Sequence, residues 1–354
     1  MRLKHCRTEC SYFLVHVFSL FILINFVIII YTPYCISMKK IKSLCLLSLS
    51  LLFLSCSNNE SNEENSLKVD YKIDLGFVKD LTINTDNNVY AISVVPSTNV
   101  ENIELQKITS DGKITKLYNQ DSYYYQNPKL ANDSSGKLFW TTDNLSGTIY
   151  SFSNDYLPFG VYTFQGADQM NLRMNGICSL NDNTLVVYDD GEKKFKRYNP
   201  NSNTETAIAG SDNYAMIDGN GLNAGFLQLS NIKSYNNVIY AIDSNQYIRK
   251  IDCNSADFMV STIYNLYYET IVDFAIDSNE DIYAIVQNKG IYKLSNGNYA
   301  VFKDGTENIK TINDAKSSTI DWTKFNRIFI KNNDMYLISS YGTLTKISDF
   351  KDKL

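Results

Sequence analysis

The run Asp218-Gly219-Asn220-Gly221 combines acidic, amide and glycine residues. This composition could belong to a metal-binding loop, a catalytic turn or a structural crossing between repeats. A twelve-residue calcium loop places Asp or Asn at positions 1, 3 and 5, Gly at position 6 and Glu at position 12. Counted from Asp218, position 5 is Leu222, so the register of a calcium loop fails. We therefore predict a tight structural crossing in which the glycines provide backbone freedom, with a metal loop as the less favoured alternative.

Histidine chemistry is excluded from the part of the chain that we expect to fold. The two histidines, His5 and His16, both precede the segment that we expect to be cleaved. Without them the mature chain has no Ser-His-Asp or Cys-His nucleophile system and no histidine-ligated zinc, copper or iron. Carboxylates such as Asp218, Glu269 and Asp321 remain as candidate bases or calcium ligands. Enzymatic activity is therefore left open, with the balance against it.

The N-terminal 66 residues carry targeting signals. Residues 38–55 start with Met38-Lys39-Lys40, continue into the apolar run 44–54 and end directly before Cys56, which is the layout of an export signal. Ser55-Cys56 resembles the lipobox of bacterial lipoproteins, and this resemblance implies a lipid anchor on Cys56 in the outer membrane. Residues 56–66 are polar and acidic, which predicts a solvated tether and resembles the surface-export signals of Bacteroidetes-type lipoproteins. Whether the protein faces the periplasm or the outside is left open.

Residues 1–37 duplicate this targeting function, because they contain a second apolar run at 13–31. We interpret them as an extension of the gene model, with translation starting at Met38. The alternative is a transmembrane helix, since about 20 apolar residues can span a bilayer.

The charge of the mature chain argues against nucleic-acid binding. The sequence has 33 basic and 38 acidic residues, of which six basic and one acidic residue lie in 1–55, so 27 basic and 37 acidic residues remain. A net charge near −10 provides no basic surface for phosphates. Besides Cys56, the cysteines of the mature chain are Cys178 and Cys253, which we predict to be buried small hydrophobes rather than a disulfide framework.

A pair of strand-like segments recurs six times in residues 67–354. The first segment of each pair follows a turn rich in Asn and Asp, a composition typical of hairpins. It is centred on Tyr90, Phe139, Val186, Tyr240, Tyr283 and Tyr336. The second segment, such as Ile-Tyr-Lys-Leu at 291–294, follows about ten residues later, and both alternate apolar and polar residues as strands do. Six four-stranded units at this spacing predict an all-β, six-bladed β-propeller.

The two ends of the chain complement each other in this fold. The sixth unit lacks a fourth strand, because few residues follow Leu344–Ile347, and residues 68–75 form a spare strand ahead of the first unit. We predict that the N-terminal strand closes the last blade and completes the ring.

One repeat resembles a known family. Ile208-Ala209-Gly210, the Asp218–Gly221 run, Ala224-Gly225-Phe226, residues 240–244 and Ile248-Arg249-Lys250-Ile251 resemble an NHL repeat, and the other five units match in part. The NHL family folds as six-bladed propellers. The chain departs from the family pattern at Leu229 and Asn231, where Pro and Gly are usual, and lacks the family's histidine.

The connections between blades are long and rich in aromatic residues, which give rigid amphipathic contact area for sugars or peptides. We predict that they form a non-catalytic binding surface for a glycan or for a peptide or protein ligand. The predicted contact residues are Tyr123, Tyr124, Tyr125, Arg173, Tyr214, Tyr267, Tyr268 and Trp322. The alternative is that a tyrosine-rich chain places some rings in loops by chance.

The first strands of the six units each offer one polar side chain to the central channel. These residues are Asp80, Asn127, Asn175, Asn231, Asp273 and Asn326. Propellers of the gluconolactonase and paraoxonase type, which the fold resembles, hold calcium in the channel with Glu, Asp and Asn. This resemblance implies, as the alternative to a binding module, a calcium-dependent lactonase or esterase; the lack of a glutamate weakens it, and we otherwise predict no cofactor.

Overall fold

The computed structural model describes residues 67–96, 101–121, 127–142, 147–164, 174–311 and 317–353. All of them belong to one compact unit, Glu64–Leu354. The predicted start at Met38, the signal peptide, the lipid anchor at Cys56 and the acidic tether lie outside the described residues. Within the described residues, no helix has the length and apolar character needed to cross a membrane.

The described residues form six β-sheets arranged as the blades of a propeller, which confirms the predicted fold. Blade one contains β2 (Phe77–Ile83), β3 (Val89–Pro96), β4 (Glu101–Ile108) and β5 (Ile114–Asp121). Blade two contains β6 (Lys129–Asn132), β7 (Leu138–Thr141), β8 (Thr148–Phe152) and β9 (Pro158–Thr163). Blade three contains β10 (Met174–Ser179), β11 (Leu185–Asp189), β12 (Lys194–Asn199) and β13 (Thr204–Ala209).

The second half of the ring is built in the same way, with short additions. Blade four contains β15 (Leu229–Tyr235), β16 (Val238–Asp243), β17 (Tyr247–Asp252) and β18 (Met259–Asn265), and the two-residue strand β14 (Gly219–Asn220) pairs with β18. Blade five contains β19 (Ile271–Ile276), β20 (Ile282–Val286), β21 (Gly290–Ser295) and β22 (Asn298–Lys303). Blade six contains β25 (Phe325–Lys331), β26 (Asp334–Ser339) and β27 (Thr343–Ile347). Three short 3-10 helices, Gly221–Asn223, Trp322–Lys324 and Phe350–Lys353, complete the described elements.

The ring closes between the two ends of the chain, as predicted. Strand β1 (Lys68–Asp74) pairs antiparallel with β27, with Val69 opposite Ile347 and Ile73 opposite Leu344. The ammonium group of Lys346 lies 3.0 Å from a carboxylate oxygen of Asp70 in β1 and 3.1 Å from one of Asp334 in β26. The N-terminal strand is therefore held by backbone pairing and by a bridging cation.

A hairpin that the sequence pattern does not predict extends blade six further. Strands β23 (Thr306–Thr311) and β24 (Ser317–Asp321) pair with each other, and β23 runs parallel to β1. Blade six is therefore a sheet of six strands. The connection from blade five to blade six, for which the sequence predicted no strands, is largely this pair of strands.

The hydrophobic core is divided into six clusters, one at each interface between neighbouring blades. Tyr336 on blade six and Leu81 on blade one share a cluster, for example, and Tyr188 on blade three and Phe226 before blade four share another. This arrangement follows from the sequence, because the second strand of a blade, such as Val238–Asp243, is buried at every position and must be covered on both faces. Cys178 and Cys253 are free thiols at the cluster between blades three and four; Cys178 is buried as predicted, whereas Cys253 is only partly buried.

Candidate functional site

The Asp218–Gly221 run is a structural seam, as predicted. The guanidinium group of Arg249 on β17 is fully buried and donates to Asp218 at 3.0 Å and to Asp243 at 2.9 Å. The same group donates to the backbone oxygens of Gly225 at 3.1 Å and Ile217 at 3.0 Å. Asp218 therefore ties the connection between blades three and four to the body of blade four.

Gly221, at the end of the same run, is required because two backbone segments pack closely against it. Gly221 has a φ of +30°, and a Cβ atom there would lie 2.8 Å from the backbone oxygen of Ile208 and 3.0 Å from that of Asp257. A side chain would force the two chain segments apart. Asp218 also accepts a hydrogen bond from the backbone nitrogen of Thr262 at 2.9 Å, so its oxygens are occupied by protein donors.

Trp322 does not contribute to a binding surface, so its assignment as a ligand contact is wrong. Its side chain is fully buried, and its indole nitrogen donates to Glu307 on β23 at 3.1 Å. The ring packs 5.9 Å from that of Phe325, and Asp321 caps the short helix by accepting from the backbone nitrogen of Thr323 at 3.0 Å. The β23–β24 hairpin folds this connection back and directs the indole into the core.

Three other predicted aromatic contacts are exposed. Tyr214 is 72% exposed, Tyr267 is 68% exposed and Tyr268 is 97% exposed. Tyr123, Tyr124, Tyr125 and Arg173 lie outside the described residues.

Tyr267 and Tyr268 occupy the two central positions of a tight turn between blades four and five. The backbone nitrogen of Glu269 donates to the backbone oxygen of Leu266 at 2.8 Å and closes the turn. Tyr268 has a φ of +64°, a conformation that turns normally assign to Gly or Asn. A bulky residue in this conformation costs about 1–3 kcal/mol, and such strain is concentrated at functional sites.

Each exposed tyrosine site lies next to a lysine from a neighbouring hairpin. Lys289, in the turn between β20 and β21, pairs with Glu269, the residue that follows Tyr268 in the chain. Lys193, in the turn between β11 and β12, lies 5.2 Å from the ring centroid of Tyr214. Both sites therefore combine an aromatic face with charged hydrogen-bonding groups.

These turns and the inter-blade connections lie on one side of the ring, which we call the connection face. The backbone hydrogen bonds show this arrangement, since Gln287 donates to Thr270 at 2.9 Å and Ile271 donates to Asn245 at 2.7 Å. In an antiparallel blade of four strands, the turn between the second and third strands must return to the end at which the first strand enters.

Two aromatic residues on the connection face are missing from the sequence prediction. Tyr341, in the turn between β26 and β27, is 77% exposed, and Phe77, at the start of β2, is 60% exposed. The backbone nitrogen of Leu75 donates to the oxygen of Gly342 at 3.1 Å, which brings the two segments together. Tyr341 could have been predicted by including the turns between the second and third strands of the blades, because these turns also lie on the connection face.

Three polar residues of the central channel form hydrogen bonds with the backbone of the neighbouring blade. Asp80 on β2 accepts from the backbone nitrogen of Leu130 on β6 at 2.8 Å. Asp273 on β19 is fully buried and accepts from the backbone nitrogen of Ile328 on β25 at 2.8 Å. Asn231 on β15 donates to the backbone oxygen of Val272 at 2.7 Å.

Lys233 places a positive charge in the channel beside Asp273, which the sequence suggested as a calcium ligand. Its ammonium group lies 3.1 Å from Asp273, donates to the backbone oxygen of Ile328 at 2.7 Å and lies 4.0 Å from the ring centroid of Phe329. Burial lowers the pKa of Lys233, and the carboxylates of Asp273 and Asp80 oppose that shift. A calcium ion beside Asp273 would have to share its carboxylate with this cation.

The channel residues therefore do not fit a calcium site. Among the described residues, no group of three Asp, Glu, His or Cys side chains is placed to hold a metal ion. Asp80, Asn231 and Asp273 line a cavity of about 430 Å³, whereas Asn127, Asn175 and Asn326 are not among its lining residues. Asn127 is exposed ahead of β6.

Comparison with known proteins identifies the fold. No protein-family model and no curated protein matches the chain. An auxiliary nutrient binding protein from Bacteroides thetaiotaomicron matches with a TM-score of 0.54 at 12% identity, over 78% of this chain and 69% of that one. A protein of unknown function from the same organism matches with a TM-score of 0.53 at 13% identity, over 80% and 73%.

A gluconolactonase from Xanthomonas campestris matches with a TM-score of 0.53 at 8% identity, over 80% of this chain and 94% of that chain. At such identities the similarity shows the β-propeller fold alone. The relation to the NHL family stays a prediction.

Proposed function

We propose that the protein is a non-catalytic binding module that recognises an extended ligand, a glycan or a peptide, with the connection face of its propeller. The observation that carries this proposal is the turn Tyr267-Tyr268. Its two rings are exposed, and the backbone of Tyr268 is held in a conformation that is unfavourable for a tyrosine.

The arrangement has the physical properties of a recognition surface. A turn fixes the backbone of both residues, so little conformational entropy is lost when a ligand covers the rings. Sugars and peptides offer apolar faces for such rings and hydroxyl or amide groups for the nearby Glu269 and Lys289. The similarity to a nutrient-binding protein concerns the fold, and it is compatible with this use of the connection face.

We also propose that Cys56 carries the protein on the outer membrane as a lipoprotein. The support is the arrangement of Met38-Lys39-Lys40, the apolar run 44–54 and Ser55-Cys56. Labelling cells with a radioactive or clickable palmitate analogue tests it. Label on the wild-type protein and none on Cys56→Ala is expected, and label that survives the substitution contradicts the anchor.

A calcium-dependent lactonase or esterase is the alternative function. A gluconolactonase has a similar fold, so the fold is compatible with this alternative function. The channel geometry opposes it, because Asp80 and Asp273 accept hydrogen bonds from neighbouring strands and Lys233 occupies the space beside Asp273.

One experiment separates the two functions. The full-length protein, purified in detergent, is screened on a glycan array and a peptide library, with calcium at about 1 mM, the weak end of the dissociation constants of extracellular calcium modules, and with a chelator. We expect binding that is the same in both conditions. Calcium-dependent turnover of a lactone or ester substrate that is abolished by Asp273→Asn would overturn the binding module in favour of the hydrolase.

A further inference from the structure

The cavity in the central channel extends to the face of the ring opposite the connection face. Its volume is about 430 Å³, within the usual range of small-molecule pockets. Its lining runs along the first strands from the level of Asp80 and Asp273 to Ser278 and Asn332, in the turns that follow β19 and β25. Because each first strand enters from the connection face, these turns lie at its other end.

The charged groups that line the cavity balance one another. The lining contains two aspartates, Asp80 and Asp273, and two lysines, Lys233 and Lys331, besides Lys129, which has a partner of its own. The ammonium group of Lys233 lies 3.1 Å from the carboxylate of Asp273. An ion that entered the cavity would lose its hydration and find no opposite charge in excess, whereas a neutral ligand avoids this cost.

Each blade contributes a short, uncharged polar side chain to the wall of the cavity. These side chains lie near the ends of the six first strands or just beyond them. They belong to Thr82, Asn132, Ser179, Ser234, Ser278 and Asn332. Since the blades of a propeller surround its central channel, these six residues form a ring, which we call the polar ring.

Hydrogen bonds between blades hold part of the polar ring in place. Thr82 of blade one donates to the side-chain oxygen of Asn132 of blade two. Ser179 of blade three donates to the backbone oxygen of Asn132 at 2.7 Å. Ser234 of blade four donates to the backbone oxygen of Ser179 at 2.6 Å. These side chains are therefore fixed before a ligand arrives, which lowers the entropy cost of binding.

The polar ring can accept hydrogen bonds from a ligand. The hydroxyl groups of Thr82, Ser179 and Ser234 use their protons within the protein, and each keeps a lone pair that can accept from a ligand hydroxyl. Ile232 and Ile276 line the same cavity and add apolar surface between the polar groups. A neutral molecule with several hydroxyl groups and an apolar C–H face is complementary to this wall.

We propose that the channel cavity binds one neutral monosaccharide unit, whose hydroxyl groups donate to the polar ring and whose C–H face lies against Ile232 and Ile276. This site lies toward the face opposite the connection face. It does not depend on the proposed recognition of an extended ligand.

Saturation-transfer NMR titration of the full-length protein with D-glucose, D-galactose and D-mannose tests the proposal. The protein is kept in a detergent without a sugar head group, because such a head group would compete for the site. D-glucuronate and protonated D-glucosamine are the charged controls, since they keep the sugar ring and add a negative or a positive charge. We expect saturable binding of at least one neutral sugar and no tighter binding of either charged one.

Two results of this titration would overturn the proposal. Absence of saturable binding for all three neutral sugars would show that water alone fills the polar cavity. Tighter binding of glucuronate or glucosamine than of the neutral sugars would show that the site selects an ion.

Variants then locate the site. Ser234→Leu fills part of the cavity and should weaken sugar binding at least about tenfold. Ser234→Ala removes one acceptor with little change of volume and should weaken binding about three- to tenfold, which keeps the test open if Ser234→Leu does not fold. Ser202→Leu is the matched control, because Ser202 is exposed in the turn between β12 and β13, outside the lining of the cavity.

The variants also separate this site from the connection face. Ser202→Leu and Tyr268→Gly should bind the sugar as the wild type does. Loss of binding in Tyr268→Gly, with wild-type affinity in both Ser234 variants, would place the sugar on the connection face and contradict the channel site. Failure of the glycan and peptide screen would leave the monosaccharide titration unaffected.

Discussion

The connections that enter blades four and six differ from the one that enters blade five. In the first two, a charged or aromatic residue is turned inward: Asp218 pairs with the buried Arg249, and Trp322 is buried against Phe325. The third is short, and its turn presents Tyr267 and Tyr268 to solvent. Asp218 and Trp322 therefore stabilise the ring from their connections, although the connection into blade four also leaves Tyr214 exposed, whereas both rings of the turn into blade five are available to a ligand.

The largest effect is expected where an inward connection carries a buried charge. Arg249→Met removes the partner of Asp243, which is fully buried, and of Asp218. We expect the free energy of unfolding to fall by about 5 kcal/mol, because a buried carboxylate is left uncompensated. Urea denaturation followed by circular dichroism measures it. Asp218→Asn, at a half-exposed position, is the control and should cost about 1 kcal/mol; equal losses in the two variants would contradict the account.

This seam also shows how much the sequence could predict. The failed calcium register and the glycines predicted a structural crossing at Asp218, but nothing local identified Arg249, 31 residues later, as its partner. The period-two strands and the spare N-terminal strand predicted six blades and their closure. The β23–β24 hairpin was missed because its strands are polar, as in Ser317–Asp321, and lack that alternation.

The candidate functional residues divide in the same way. The sequence predicted exposed rings at Tyr214, Tyr267 and Tyr268, since these lie in the aromatic-rich connections between blades. It could not show that Trp322 points inward, because that depends on the hairpin in front of it. The role of Lys233 could not be predicted, because its partners, Asp273 and the backbone of Ile328, come from other blades.

Trp322→Ala tests the second inward connection. The substitution removes a fully buried indole and leaves Glu307 without its donor, so we expect a loss of about 4 kcal/mol in the free energy of unfolding. Trp322→Phe keeps much of the ring volume and should lose less. Folded Trp322→Ala protein that has lost ligand binding at unchanged stability would restore Trp322 as a ligand contact.

Alkaline pH tests the contribution of the buried tyrosines to stability. Burial raises the pKa of Tyr240, Tyr283 and Tyr336, which occupy equivalent positions in blades four, five and six, to about 12. Since the folded protein favours the protonated phenol, this stability is complete below the unfolded pKa of 10.0 and is lost as pH rises from 10 to about 12.

Urea unfolding at a series of pH values, with tyrosinate absorbance recorded in parallel, measures this loss. Stability should be constant between pH 7 and 9 and should fall steeply above pH 10, near the ordinary pKa of tyrosine. Stability that stays constant up to pH 12 would show that these phenols titrate normally in the folded ring.

The smallest effect on stability is expected at the projecting turn. Tyr268→Gly relieves the cost of the positive φ, about 1–3 kcal/mol, and adds the entropy cost of glycine, about 0.5–1 kcal/mol. The free energy of unfolding should therefore be unchanged or slightly higher. A clear loss of stability would show that the ring of Tyr268 packs against the protein.

The affinity of the strongest ligand from the glycan and peptide screen, measured for the wild type and Tyr268→Gly, tests the central claim most directly. Tyr299→Ala is the matched control, because Tyr299 is half-exposed on β22, the outer strand of blade five. We predict at least about a tenfold weaker Kd for Tyr268→Gly, as expected for an aromatic contact at the centre of an interface, and no change for Tyr299→Ala. An unchanged Kd in Tyr268→Gly, or an equal loss in both variants, would contradict recognition by the connection face.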